Sequence, residues 1–124
     1  RKLLPQRKFA ERHLSDEQIK ALTARGGVIG INLYGTFLAE GRPATIADVV
    51  THVRYMTDMV GRADFIGLGS DMDGGFPATD LPAQLQSPRE LPRLAAALSA
   101  AGYSDDQVAD FMRRTMDKFL KNAF

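Results

Sequence analysis

Gly27-Val28-Ile29-Gly30-Ile31-Asn32-Leu33-Tyr34 is the stretch that decides the fold. Its apolar residues do not alternate with polar ones, as they would in a strand with one wet face, so it reads as a strand covered on both sides. That is the habit of parallel sheets in α/β proteins. Asp64-Phe65-Ile66-Gly67-Leu68-Gly69 reads the same way. Between the two, Ile46, Val49, Val50, Val53, Met56 and Val60 recur at helical spacing. Strand, helix, strand is a βαβ unit with a right-handed crossover. The expected fold class is α/β.

Outward from this unit, helix starts are marked by a hydroxyl followed three residues later by an acid or amide that can reach back to it. Ser15-Asp16-Glu17-Gln18, Thr45-Ile46-Ala47-Asp48, Ser87-Pro88-Arg89-Glu90 and Ser104-Asp105-Asp106-Gln107 all fit, which predicts four helices. Pro92 would break a bond near the end of the third helix's first turn, so that helix is expected to start nearer Leu91. Val108, Phe111, Met112, Met116, Phe119 and Leu120 give the last one its apolar stripe.

The chain has 124 residues, 44% hydrophobic and 25% charged, enough for one core and too apolar for a disordered tail. Residues 1–124 are expected to form one unit with no internal boundary. Two doubly covered strands still need a third strand or a covering partner. The first helix precedes a strand as though an earlier strand lay upstream, so the chain reads as the back part of a larger α/β protein. No apolar run approaches the roughly 18 residues of a membrane span. The absence of cysteine excludes a disulfide scaffold, a thiolate metal site and a cysteine nucleophile. It also fits a reducing compartment, and the cytoplasm is the favoured location. Charge nearly balances, with 16 Lys and Arg against 15 Asp and Glu, although Arg1, Lys2, Arg7, Lys8 and Arg12 crowd the beginning. With no stacking aromatics among them, this segment is expected to be solvated, without a nucleic-acid partner.

In α/β sheets chemistry gathers on loops at the carboxyl ends of strands. Residues 35–44 and 70–86 are two such loops. Asp71 and Asp73 stand just past the second strand, where an aspartate is expected to face a low-dielectric pocket suited to general acid–base work; the alternative is an Asx turn. A calcium loop is not expected, because no glutamate closes it and Pro82 holds the twelfth position. Gly67-Leu68-Gly69-Ser70 is not followed by a lysine, and two carboxylates beside it oppose a phosphate. Asn32 and Tyr34 either line a pocket at the strand end or satisfy local hydrogen bonds. His13 and His52 lack metal-ligand spacing and are expected on the surface or in packing.

Arg12-His13-Leu14-Ser15-Asp16-Glu17-Gln18-Ile19, residues 25–34, and Ile66-Gly67-Leu68-Gly69-Ser70-Asp71-Met72-Asp73-Gly74, in that order, resemble the C-terminal portion of the membrane dipeptidase (renal dipeptidase) family of zinc metallopeptidases. Leu91-Pro92-Arg93-Leu94 and Ala101-Gly102-Tyr103-Ser104 fit its closing region. The resemblance implies the last βα units of a distorted TIM (β/α)8 barrel, with a bridged pair of zinc ions whose water attacks a dipeptide amide. It also implies metal ligands (a His-x-Asp pair, a Glu and two His) that match no position here, the last in a Ser-His-Ser motif expected just before Arg1. It assigns Asp71 to acid–base work and the substrate's amino end, and Arg12 to the substrate's carboxylate, with Arg7 as competitor. Arg114-Thr115-Met116-Asp117-Lys118 departs from the Gly-Asn-x-x-Arg usual in relatives. The expected function is a part of a dipeptide-cleaving metallohydrolase, inactive as the isolated chain. The alternative is a non-enzymatic fragment that forms homo-oligomers through its open strand edges, or an interaction module.

Overall fold

A computed structural model of the chain describes residues 14–39, 41–72 and 75–123. Strands β1 (Ile29–Ile31) and β2 (Ile66–Leu68) pair in parallel, with Ile29 opposite Ile66, Gly30 opposite Gly67 and Ile31 opposite Leu68. Helices α2 (Gly35–Leu38) and α3 (Ile46–Val60) lie between them in sequence, completing the βαβ unit. The strands are shorter than the apolar runs suggested. Their pairing nevertheless continues beyond the regular portion, through Gly69 N donating to Ile31 O at 3.0 Å and Leu33 N donating to Ser70 O at 3.1 Å.

Helix α1 (Asp16–Ala24) starts at a capping box in which Ser15 N donates to Gln18 Oε1 at 2.8 Å and Gln18 N donates to Ser15 Oγ at 3.2 Å. The Ser104–Gln107 box does the same for α5 (Asp105–Ala109). At α3, Thr45 N donates to Asp48 Oδ2 at 2.8 Å, and Arg42 grips the same carboxylate from outside, Nη2 to Oδ1 at 2.6 Å and Nη1 to Oδ2 at 2.8 Å. That guanidinium, seconded by Thr45 N–H and opposed by partial burial, holds the Asp48 carboxyl below the usual carboxylate range. The Ser87 start differs from expectation. Residues Pro88–Glu90 form a 3-10 turn, Glu90 Oε1 accepts from Gln86 N instead, and α4 runs Leu91–Ala100 with Pro92 in its first turn, where no amide donor is needed. From α5 the chain continues through a π-helical turn, Asp110–Arg114, into α6 (Thr115–Ala123).

One apolar cluster joins α1, both strands, α3, α4 and the π turn through Ile19, Ile29, Ile66, Val53, Leu98 and Phe111. The cover that two strands need comes from the chain's own closing segment. Met116 lies against the strand glycines, so a Cβ on Gly67 would meet its Cγ at 3.1 Å and one on Gly30 its Cε at 3.0 Å. Glycine at these positions lets the Met116 side chain approach the strand backbone closely. Coverage is still incomplete: Gly30 is exposed and Leu68 half-buried, so the expectation of strands buried on both sides holds only in part. Among the described residues, no helix is long and apolar enough to cross a membrane.

Candidate active site

The parallel register carries β1 and β2 past their regular ends together, and the Leu33–Ser70 bond sets Asn32 beside Asp71. Asn32 Nδ2 donates to Asp71 Oδ2 at 3.0 Å. The other end of the same amide is fixed as well, since Oδ1 accepts from Tyr34 N at 2.7 Å. Asp71 has φ 61°, a left-handed backbone that aspartate tolerates better than most residues. It is exposed rather than sunk in a low-dielectric pocket, because it stands beyond the end of β2 on a turn open to solvent. A carboxylate with one oxygen held and the molecule's exterior before it can bind an ammonium group or exchange a proton with a bound substrate.

Tyr34, whose N–H holds the Asn32 amide, is itself fixed by aromatic contacts. Its ring meets Phe37 edge-on, with centroids 5.0 Å apart, and Phe76 at a tilt, 4.7 Å apart. Phe37 and Phe76 come from the two loops that follow the strands, and this position was the one available signal for them in the sequence. Neither loop is loose. The first contains α2, too short to show a period, and the second is anchored by buried Leu81, Pro82 and Leu85 and by Ala83 N donating to Ala44 O at 3.3 Å. Gly35 lets the two meet: a Cβ there would stand 2.5 Å from Asp80 O.

The structure places Asn32 between the Asp71 carboxylate and the Tyr34 amide, so the hydrogen-bonding alternative holds for Asn32. Arg12, its competitor Arg7, His13 and Asp73 lie outside the described residues. His52 is a packing residue, 4% exposed, its Nε2 3.3 Å from Leu38 O. Among the described residues, no group of three or more His, Cys, Asp or Glu side chains converges in a way that would hold a metal ion. These residues therefore do not fit a binuclear metal centre. A concavity of about 1050 Å³ opens at the amino ends of the strands and is lined by Gly27, Asp64 and the ion pair Arg114–Asp110 (3.1 Å) among others. Asn32, Tyr34 and Asp71 do not line it.

A sequence profile of the membrane dipeptidases (peptidase family M19) matches residues 7–123. An uncharacterised protein from the pqqA 5′ region of Klebsiella pneumoniae is 35% identical over 117 residues, covering 91% of this chain and 41% of that protein. The crystal structure of the dipeptidase AC, a metallopeptidase of family M19, superposes with a TM-score of 0.77 at 29% identity, over 89% of this chain and 32% of its own. A metallopeptidase from Rhodobacter sphaeroides, solved with a phosphinate mimic of the dipeptide L-Ala-D-Ala, gives a TM-score of 0.79 at 28% identity, over 91% and 32%. The chain thus spans about a third to two fifths of the length of these relatives. With a match running through nearly all of its residues, the chain belongs to the membrane dipeptidase family, peptidase family M19.

Proposed function

We propose that this chain is the C-terminal portion of a metal-dependent dipeptidase, forming the last βα units of a distorted (β/α)8 barrel. The observation that carries the reading is the Asp71 carboxylate, held by Asn32 at the carboxyl ends of two parallel strands, within a chain of family M19. In this reading Asp71 accepts and returns a proton at the scissile amide and meets the substrate's amino end. Arg12 binds the substrate's carboxylate as a bidentate fork. Asn32 and Tyr34 line the pocket, the ring of Tyr34 offering an apolar wall to a dipeptide side chain. The metal is a zinc pair by family resemblance, and the same resemblance puts its ligands outside this chain; among the described residues no such set converges. The isolated 124-residue chain is accordingly inactive.

The test is dipeptide hydrolysis by the complete, metal-loaded enzyme and by the chain alone. Asp71→Asn is expected to lower turnover about 10²–10⁴-fold, the range of general acid–base catalysis, with metal content unchanged. Near-normal turnover would remove Asp71 from the mechanism. Hydrolysis by the isolated chain, abolished by a chelator, would overturn its inactivity. A second reading, a self-associating fragment, is favoured by Phe119 and Leu120, 40% and 51% exposed on α6, and by a sheet of only two strands among the described residues. Sedimentation of the chain as a stable folded monomer would dispose of it.

A further inference from the structure

We infer that Asn32 is a positioning residue that acts on the reaction through the Asp71 carboxylate; this rests on the catalytic reading of Asp71 given above. The orientation of the Asn32 amide is dictated by its neighbours. Tyr34 N–H can only donate, so the Asn32 atom 2.7 Å from it must be the oxygen, and the amide nitrogen must face Asp71 Oδ2 at 3.0 Å. The anchor behind it is firm, because Tyr34 packs against Phe37 and Phe76 and is followed by Gly35, buried against the 78–80 turn. Asp71 needs such a holder. It is exposed and stands on a left-handed backbone beyond the end of β2. With Oδ2 engaged by Asn32, Oδ1 is the oxygen assigned to the proton exchange. Groups held close to their productive geometry are what lower a barrier, and misplacing them is costly.

In the complete, metal-loaded enzyme, Asn32→Ala is expected to lower kcat about 10–100-fold while KM stays within about twofold, since the transition state loses more than the bound substrate. Placed on Asp71→Asn, the same substitution should lower turnover no further, because the residue acts through a carboxylate that is gone. The exchange Asn32→Asp with Asp71→Asn rebuilds the bond with donor and acceptor reversed. It should restore the melting temperature and leave turnover at the Asp71→Asn level. An Asn32→Ala enzyme that loses thermal stability but keeps its kcat would overturn the inference, as would one in which only KM rises. Wild-type turnover in Asp71→Asn would instead overturn the reading beneath it. Should Asn32→Ala not fold, the side-chain amide protons of Asn32 in the 124-residue chain report the bond by NMR. They are expected to shift on Asp71→Ala, and unchanged signals would refute it.

Discussion

Gly35→Ala isolates the contact that joins the two loops of the candidate site. Gly35 is buried at the first turn of α2, and its φ is not left-handed, so alanine is conformationally acceptable there. On that ground alone the change would stabilise the protein by about 0.4–1 kcal/mol, through a less flexible unfolded chain. The new methyl group, however, would stand 2.5 Å from Asp80 O, closer than the 3.0 Å that real Cβ atoms essentially never breach. The obstacle is backbone and cannot rotate away; the 78–80 turn must move off α2. Forcing a methyl into a packed site costs about 1–3 kcal/mol, so the net expectation is a loss of about 1–2 kcal/mol. Urea unfolding followed by circular dichroism reads this as a midpoint lower by about 0.5–1 M, with unchanged slope. Gly69→Ala is the control: its nearest neighbour would be Gly30 Cα at 3.5 Å, an ordinary contact, so only the gain from a less flexible unfolded chain remains and its midpoint should match or slightly exceed wild type. Amide signals of Tyr34 and Phe76 should move in Gly35→Ala and stay put in the control. A Gly35→Ala protein as stable as wild type, or more so, would refute the claim that this close approach locks the loops together.

Asp48→Ala removes both the α3 cap and the grip of Arg42, and at pH 7 should cost about 1–2 kcal/mol. Because the folded carboxyl titrates below its ordinary value of about 3.9, its contribution is complete above that pH and fades as pH falls through the folded value. The stability gap between wild type and variant should therefore close below about pH 4; a gap constant from pH 7 to pH 2 would contradict the assignment. Tyr103→Phe deletes the 2.8 Å bond to Thr57 Oγ1 that ties the α4–α5 connection to α3. Thr57 keeps its bond to Arg54 O at 3.2 Å, so calorimetry should show a loss of only about 0.5–1.5 kcal/mol.

The local signals at Ser15, Ser104 and Pro92 match the structure, and the one at Ser87 does not. The capping boxes at Ser15 and Ser104 involve residues three apart, and their geometry follows from the order of side chains alone. Pro92 placed the start of α4 at Leu91 because its missing amide is tolerated only in a first turn. Ser87 and Glu90 mimic the same pattern, yet the chain makes a 3-10 turn and Glu90 finds Gln86 N, a choice between near-equal local bonds that packing settles. Helix α2 and the π turn left no signal, since four or five residues are too few to show a period.

By itself, the sequence determined that two apolar strands flank a helix, that they run parallel, and that Asn32, Tyr34 and Asp71 stand at strand ends where chemistry gathers. The first two follow from the apolar pattern of the strands and the helix between them, and the third from position at a strand end. Only tertiary structure decided that Asn32 and Asp71, 39 residues apart, share a hydrogen bond. It likewise decided that Asp71 faces solvent and that Met116 covers the strand glycines. Strand register and helix-on-sheet packing set those outcomes, and both depend on how distant segments fit rather than on what stands next to what.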